Sequence, residues 1–176
     1  MLKGKFPINL TKEVLTSNSS EAFSLYDKSC FGEPSKGKDK ISYGYSEAVY
    51  LVETKKAEVF SGKKKIDVKE LMKKLSRVDK KIYIKYPVYS DLREKGYIVK
   101  TALKFGADFR VYPKGKRPGN AHAKWVVFVD HEAAKTNWQE FSAKNRVAHS
   151  TKKKLLLGIV DSEEDVTYYE VGWVRP

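Results

Sequence analysis

Apolar positions in the first half of the chain recur at the spacings of short strands and short helices. The pattern predicts strands at 6–10, at 13–15 and ending at 59–60, and helices at 20–26, 46–52 and 67–75. Ser46 and Asp67 stand where helix-capping side chains are expected, and Glu70 completes a capping-box pattern with Asp67. Residues 31–40 are basic and contain Gly and Pro, which predicts a loop. This half therefore has helix and strand patterns but no catalytic motif.

The second half begins with an ambiguous segment and continues with clearer strands. Apolar residues at every second position from Ile82 to Val88 alternate as in a strand, whereas Pro87 would begin or kink a helix. Further elements are predicted as strands at 97–100, 108–112 and 124–129, a helix from 136 to 151, and a hairpin of 154–160 with 166–174. Thr136 and Gln139 form the predicted capping box of that helix. The order of elements predicts a mixed α/β protein.

Composition narrows the partner and the compartment. The formal charge of +13 and the pI near 9.6 favour a polyanion, either nucleic acid or an anionic membrane surface. No apolar run approaches the ~20 residues of a membrane span, and the first residues lack the apolar segment of a signal peptide. The single cysteine, Cys30, excludes an internal disulfide and a cysteine metal cluster. We therefore expect a soluble, cytoplasmic protein without a membrane partner.

Three residues in the last third carry possible chemistry: Tyr112, His122 and Lys153. Each also has an ordinary interpretation. A tyrosine that ends a strand is usually a half-buried packing residue, and the chain has 11 tyrosines. His122 is one of three histidines, and Lys153 belongs to a run of lysines at 152–154 of the kind that usually covers a solvated face.

The segments around these residues, at 107–113, 120–127 and 146–157, closely resemble the catalytic motifs of the archaeal tRNA-intron splicing endonucleases, in the same order. The resemblance is strongest from about residue 86 onward and weaker at 41–75. It implies a small N-terminal α/β domain at 1–79, followed at 80–176 by a restriction-endonuclease-like catalytic domain with a mixed sheet flanked by helices. It also favours a helix from about Pro87 to Lys95, closed by Gly96.

The resemblance implies RNA cleavage without a metal or other cofactor, with Tyr112 as base, His122 as acid and Lys153 as the stabilising cation. The chemistry suits these side chains, because the ribose 2′-OH is the nucleophile and the departing 5′ oxygen needs a proton. An imidazole titrates near neutral pH. A free phenol titrates near ~10, so Tyr112 needs nearby cations, for which Lys153, Lys114 and Lys116 are available.

The resemblance further implies an RNA-binding role for Arg146, whose planar guanidinium would stack on a bulged base. The alternative is an ordinary helix-surface arginine. Lys114, Lys116 and Arg117 surround the expected cleavage site and are predicted to hold phosphates. Arg175 is a weak candidate for a second stacking cation.

One segment is densely acidic in this basic chain, with Asp161, Glu163, Glu164 and Asp165. The resemblance implies that it inserts into a basic groove of a neighbouring subunit and builds a homotetramer, or a heterotetramer with a structural subunit. Complementary charge would offset repulsion between basic subunits. The alternative is a solvated hairpin turn.

The leading interpretation is an enzyme that cuts precursor tRNA at bulge-helix-bulge junctions and leaves 2′,3′-cyclic phosphate and 5′-hydroxyl ends. A second interpretation is a non-catalytic, RNA-binding or structural subunit of a related endonuclease, which need not keep all three residues. A third is a metal-dependent DNA nuclease, which would need paired carboxylates near a lysine. Asp108 stands alone in the expected region, which disfavours the third.

Overall fold

The computed structural model describes residues 4–174 and confirms a mixed α/β protein. Its strands are β1 Phe6–Thr11, β2 Val14–Ser17, β3 Glu33–Pro34, β4 Ile41–Tyr43, β5 Ala57–Ser61, β6 Lys64–Ile66, β7 Ile98–Ala102, β8 Ala107–Tyr112, β9 Trp125–His131, β10 Lys154–Val160 and β11 Val166–Val171. Its α-helices are α1 Ser20–Ser29, α2 Tyr45–Glu53, α3 Val68–Leu75, α4 Ile82–Glu94 and α5 Trp138–Ser150, and a 3-10 helix covers Leu103–Phe105.

The chain divides into two compact units, and the division falls between Tyr86 and Pro87, inside α4. Because α4 is continuous across this point, the division reflects how the contacts group and does not mark a linker between two domains. The domain boundary between residues 79 and 80 therefore stays a prediction.

The first unit contains a six-stranded sheet in the order β3-β4-β2-β1-β5-β6. β1 runs parallel to β5, and the other neighbours are antiparallel. Phe6, Ile8 and Leu10 are buried, and the residues between them are exposed, so one face of β1 lies on the core. This alternation is the one from which the strands at 6–10 and 13–15 were predicted, and both are confirmed.

The second unit contains a five-stranded sheet in the order β11-β10-β9-β8-β7, in which only the β9–β10 pair is parallel. Helix α4 covers one face, and its contact is so close that a Cβ built on Gly158 would lie 3.2 Å from the Val88 side chain. Helix α5 covers the other face, where Ala148 is buried with Val126 and Leu155. The sheet is therefore enclosed by helices on both faces.

Helix α4 begins at Ile82, so the prediction that it starts near Pro87 is wrong by one and a half turns. Pro87 lacks the N–H that would bond to the carbonyl of Tyr83. Tyr83 is 51% exposed, so this turn of the helix lies at the surface, where the loss of one helical hydrogen bond is least costly. The predicted end is confirmed, since Gly96 adopts φ +86° just after the helix.

Two predicted helix caps are also corrected. Ser46 lies inside α2, and the N-cap is Gly44, whose N–H and that of Gly32 donate to the Glu47 carboxylate at 3.4 and 2.8 Å. The cap of α5 is Asn137 rather than Thr136, because the Asn137 side chain accepts the Glu140 N–H at 2.9 Å. The Asp67 cap of α3 is confirmed.

Within residues 4–174, every helix is too short or too polar to cross a membrane.

Candidate active site at the ends of three strands

Tyr112 is the last residue of β8 and lies opposite Ile98 of the edge strand β7. Its side chain is only 5% exposed. Tyr112 is therefore held in place by the sheet, at the point where β8 passes into the following loop.

His122 lies in the loop at 113–124 that joins β8 to β9, and its side chain is exposed. The loop has internal structure, since the N–H groups of Lys116 and Ala121 donate to the carbonyls of Pro113 and Arg117, at 3.0 Å in each case. The three cations predicted to hold phosphates, Lys114, Lys116 and Arg117, are exposed on the same loop. The loop therefore combines an imidazole with positive charge.

Lys153 follows α5 through a left-handed C-cap, in which the residue after the C-cap adopts positive φ and two backbone bonds close the helix. Lys152 is that residue, with φ +54°. Its N–H donates to His149 at 3.0 Å, and the Lys153 N–H donates to Ala148 at 2.9 Å. The backbone of Lys153 is thus fixed where the helix ends and β10 begins.

Strand register brings these three regions to the same end of the sheet. Val111 of β8 pairs with Trp125 of β9, which pairs with Lys154 of β10. Tyr112 directly follows the first of these positions, and Lys153 directly precedes the last. Two strand spacings, about 10 Å, separate the backbones of Tyr112 and Lys153.

Backbone hydrogen bonds connect the three strand ends. The Lys124 N–H donates to Val111, and the Lys154 N–H donates to Lys124, both at 2.9 Å. His122 lies two residues before Lys124, so its loop returns to this end of the sheet. The structure therefore gathers the segments that carry all three predicted catalytic residues.

The three consecutive lysines have different surroundings. Lys152 is exposed, and the ammonium of Lys154 forms an ion pair with Glu170. Lys153 is half-buried, its ammonium donates to the Thr151 carbonyl at 2.8 Å and it lies 5.2 Å from the centre of the Phe105 ring. Lys153 is thus the member of the run that extends along the α5-covered face, as Tyr112 does.

Arg146 is exposed on α5, seven residues before Lys153. Arg146 lies in the last turns of α5, four residues before the helix ends at Ser150, so its side chain projects from the same helix that leads to Lys153. Arg175 lies outside the described residues.

The acidic segment forms the turn between β10 and β11. The Asp161 carboxylate accepts the N–H groups of Glu163 and Asp165, both at 2.9 Å. Asp161 is half-buried, whereas Glu163, Glu164 and Asp165 are exposed. Asp161 therefore builds the turn, and the other three carboxylates face solvent.

Sequence reasoning missed an aromatic pair beside this site, formed by Tyr97 and Trp125, whose ring centres are 5.7 Å apart and nearly perpendicular. The Trp125 indole N–H donates to Glu170 at 2.7 Å. The Lys154 ammonium, and then the Trp125 N–H, hold the pKa of Glu170 below its usual value. The position of Trp125 directly after the His122 loop was a signal that it could support the loop. Its partners Tyr97 and Glu170 are distant in sequence and could not be predicted.

The segments that carry a hydroxyl, an imidazole and an ammonium meet at one end of the sheet, and the loop among them carries exposed cations. Such a set of groups suits acid–base chemistry on an anionic substrate. Within residues 4–174, no three His, Cys, Asp or Glu side chains are grouped as metal ligands.

Two family models match the chain. That of the tRNA intron endonuclease catalytic C-terminal domain matches residues 82–168, and that of the tRNA intron endonuclease N-terminal domain matches residues 10–72. A tRNA-splicing endonuclease of Thermococcus gammatolerans is 43% identical over 162 residues, which cover 92% of this chain and 94% of the relative. One of Methanothermobacter thermautotrophicus is 39% identical over 95% of this chain and 96% of the relative. One of Nanoarchaeum equitans is 46% identical over 74% and 87%, respectively.

Proposed function

The chain belongs to the tRNA intron endonuclease family, and from that membership and the site geometry we propose that it excises introns from precursor tRNA by cutting bulge-helix-bulge junctions. Membership makes the chain a tRNA-splicing endonuclease, and therefore an enzyme. The proposal goes further in two respects, namely the RNA shape that the enzyme recognises and the reaction by which it cuts. Bulges suit such an enzyme because they expose bases that a regular A-form helix hides.

The observation that carries the proposed reaction is the meeting of the β8, β9 and β10 ends. Tyr112 removes the proton of the 2′-OH, whose oxygen forms a bond to phosphorus while the bond from phosphorus to the 5′ oxygen breaks. His122 gives its proton to that 5′ oxygen, and Lys153 stabilises the charge on the five-coordinate phosphate. The products end in a 2′,3′-cyclic phosphate and a 5′-hydroxyl.

Binding is assigned to the exposed cations around the site. Lys114, Lys116 and Arg117 hold phosphates next to the cleaved bond, since all three are exposed on the His122 loop. Arg146 stacks on a bulged base, for which its exposure near the C-terminal end of α5 leaves room.

Assembly completes the proposal. A bulge-helix-bulge has two cleavage sites, and a symmetric tetramer holds two active sites at a fixed separation. The exposed carboxylates Glu163, Glu164 and Asp165 are proposed to enter a basic groove of a neighbouring subunit. Four identical chains, or two of this chain with two structural subunits, satisfy the same geometry.

Cleavage of a synthetic bulge-helix-bulge RNA by the chain expressed alone tests the reaction. We expect cutting to persist in excess chelator, because the substrate supplies its own nucleophile. It should stop when the cleavage-site 2′-OH is replaced by hydrogen, and the upstream product should resist phosphatase until its cyclic phosphate is opened.

Loss of cutting in chelator, with recovery in magnesium, would overturn the mechanism. Cutting that appears only after a second subunit is added would leave the mechanism in place and establish the heteromeric assembly.

A further inference from the structure

The loop that carries His122 is held at both ends by one aromatic pair, Tyr97 and Trp125, which we call the aromatic clamp. At the start of the loop, the Lys114 ammonium lies 5.2 Å from the centre of the Tyr97 ring. At its end, the Lys124 ammonium lies 4.1 Å from the centre of the Trp125 ring. The two rings contact each other edge to face, so the two ends of the loop share one support.

The first of these contacts involves more than the ammonium group. A Cβ built on Gly96 would lie 4.0 Å from Lys114 Cε, so the aliphatic chain of Lys114 runs along Gly96 before its ammonium reaches Tyr97. Gly96 ends α4, and Tyr97 directly precedes β7. The beginning of the loop is therefore seated on a rigid helix-to-strand junction.

Trp125 is fixed independently of the loop. Its indole N–H donates to Glu170 on β11, and Glu170 also pairs with Lys154, the residue after Lys153. The Glu170 carboxylate accepts from both groups, which lower its pKa. Trp125 thus connects the end of the His122 loop to the backbone segment that delivers Lys153.

Trp125 lies on the side of the sheet opposite the proposed chemistry. It pairs with Val111, and consecutive residues of a strand face opposite sides, so Trp125 and Tyr112 project in opposite directions. An effect of Trp125 on cleavage must therefore pass through the residues it supports rather than through the reacting atoms.

We propose that Trp125 is a positioning residue, which fixes the His122 loop so that the imidazole reaches the departing 5′ oxygen. The inference rests on the proposed role of His122 as the acid. A support shared by both loop ends, and tied to the Lys153 segment through Glu170, holds the acid at a constant distance from the cation. Small displacements of a catalytic group lower the rate steeply.

The test compares single-turnover cleavage of an ordinary RNA linkage with that of a 5′-thio linkage, whose sulfur leaves without needing a proton. His122→Ala should slow the ordinary linkage by ~10²–10⁴-fold and recover on the thio linkage. Trp125→Leu should slow it by ~10–10²-fold and recover likewise. Trp125→Phe, which keeps a ring for Lys124 and Tyr97 but lacks the indole N–H, should lose less.

Trp138→Leu is the matched control. Trp138 contacts Phe141 with the same ring separation, 5.7 Å, and the same interplanar angle, 88°, as the aromatic clamp. It is 82% exposed at the start of α5, away from the His122 loop. We expect its cleavage rates on both linkages to equal those of the unchanged protein.

Lys124→Gln covers the case in which Trp125→Leu fails to fold, because Lys124 is exposed and its change leaves both rings in place. It removes the contact of the ammonium with the Trp125 ring and the attraction of its charge to Glu170. It should show a smaller loss with the same thio recovery. Equal losses on both linkages, or no loss in either variant, would overturn the positioning role of Trp125. Failure of His122→Ala itself to recover would instead overturn the assignment of the acid.

Discussion

The two units of this protein each contain a helix that ends in the sequence Thr-Lys-Lys and leads into a strand. In the first unit the C-cap of α2 is Thr54, and in the second the C-cap of α5 is Thr151. Both threonine hydroxyls donate back to a carbonyl four residues earlier, at 2.7 and 2.8 Å. The next residues, Lys55 and Lys152, both adopt left-handed φ, +56° and +54°. The same short sequence therefore builds the same helix end twice.

The likeness extends to the second lysine of each helix-to-strand junction, which is Lys56 in the first unit and Lys153 in the second. The Lys56 N–H donates to Leu51 at 2.9 Å, as the Lys153 N–H donates to Ala148. Each ammonium lies near an aromatic ring, 5.6 Å from Tyr50 for Lys56 and 5.2 Å from Phe105 for Lys153. Both side chains are half-buried. Local structure alone does not distinguish the predicted catalytic lysine from its counterpart.

The difference lies in the neighbouring strands. In the first unit the junction meets the start of β1, where the Phe6 N–H donates to Lys56 at 3.2 Å. In the second unit it meets the end of the His122 loop through Lys124, and Tyr112 ends the strand beyond. The hairpin β1–β2 needs only residues 12–13 to turn, whereas β8–β9 uses 113–124. The helix end places a lysine in both units, and only in the second does a long loop with a histidine lie beside it.

The largest expected effect comes from removing each lysine in turn. Lys153→Ala should lower single-turnover cleavage by ~10²–10³-fold, because it deletes the cation that stabilises the charged phosphate in the transition state. Lys56→Ala removes a side chain of equal burial and similar ring contact, and should leave the cleavage rate unchanged. The measurement is cleavage of a bulge-helix-bulge RNA at saturating enzyme.

Thermal unfolding of both variants separates chemistry from folding. The two alanine variants should unfold within a few degrees of each other, since the contacts they lose are alike. If Lys56→Ala lost as much activity as Lys153→Ala, the contrast between the junctions would be one of stability alone.

The sequence indicated the second junction and not the first because the resemblance to catalytic motifs covers only the second. A strand was predicted to end at Tyr112 and another to begin directly after Lys153, and the structure confirms both. The α/β class and the hairpin of β10 with β11 were predicted correctly as well.

What could not be predicted depended on partners distant along the chain. The N-cap of α2 is Gly44 rather than Ser46, and Glu47 accepts the N–H of Gly44 together with that of Gly32, fifteen residues away. Trp125 gains its role in the clamp from Glu170, forty-five residues away. The spacing of residues within a short stretch of sequence cannot reveal pairs so far apart along the chain. The Asn137 cap is a different case, since Thr136-Gln139 and Asn137-Glu140 fit the same pattern and only the backbone geometry chooses between them.

An intermediate effect is expected at the hairpin turns that follow the two junctions. The β5–β6 turn contains Gly62 and Lys63, and the β10–β11 turn contains Glu163, Glu164 and Asp165. Reversing these three carboxylates to Lys should split the proposed tetramer into smaller species in light scattering, because like charges would meet in the basic groove. Cleavage should fall although Tyr112, His122 and Lys153 are unchanged.

The turn itself should survive this reversal, because Asp161 retains the two N–H bonds that build it. Lys63→Glu changes the charge of the other turn and should alter neither mass nor activity. High salt should weaken the unchanged assembly in the same direction. A triple variant with full mass and full activity would make the acidic segment an ordinary solvated turn.

The smallest expected effect concerns the left-handed lysines. A residue with a side chain is strained at positive φ, and glycine relieves this strain although it makes the unfolded chain more flexible. Lys152→Gly and Lys55→Gly should therefore each raise the free energy of unfolding by about 0.5–1 kcal/mol. Helix α4 already uses this solution, since Gly96 adopts φ +86° and the adjacent N–H groups of Gly96 and Tyr97 close the helix in the same way, at 3.0 Å each. Urea unfolding measures the change for each variant.

Gly96→Lys is the converse variant and should destabilise by a similar amount through its positive φ, since its Cβ would make only an ordinary contact with Lys114. Cleavage should be unchanged in Lys152→Gly. Lys153 is placed by the backbone conformation of Lys152, which glycine also adopts, and the Lys152 side chain is exposed. If Lys55→Gly gained stability while Lys152→Gly lost cleavage, the Lys152 ammonium would have to contact the substrate. The two junctions would then differ in the left-handed residue as well as in the lysine that follows it.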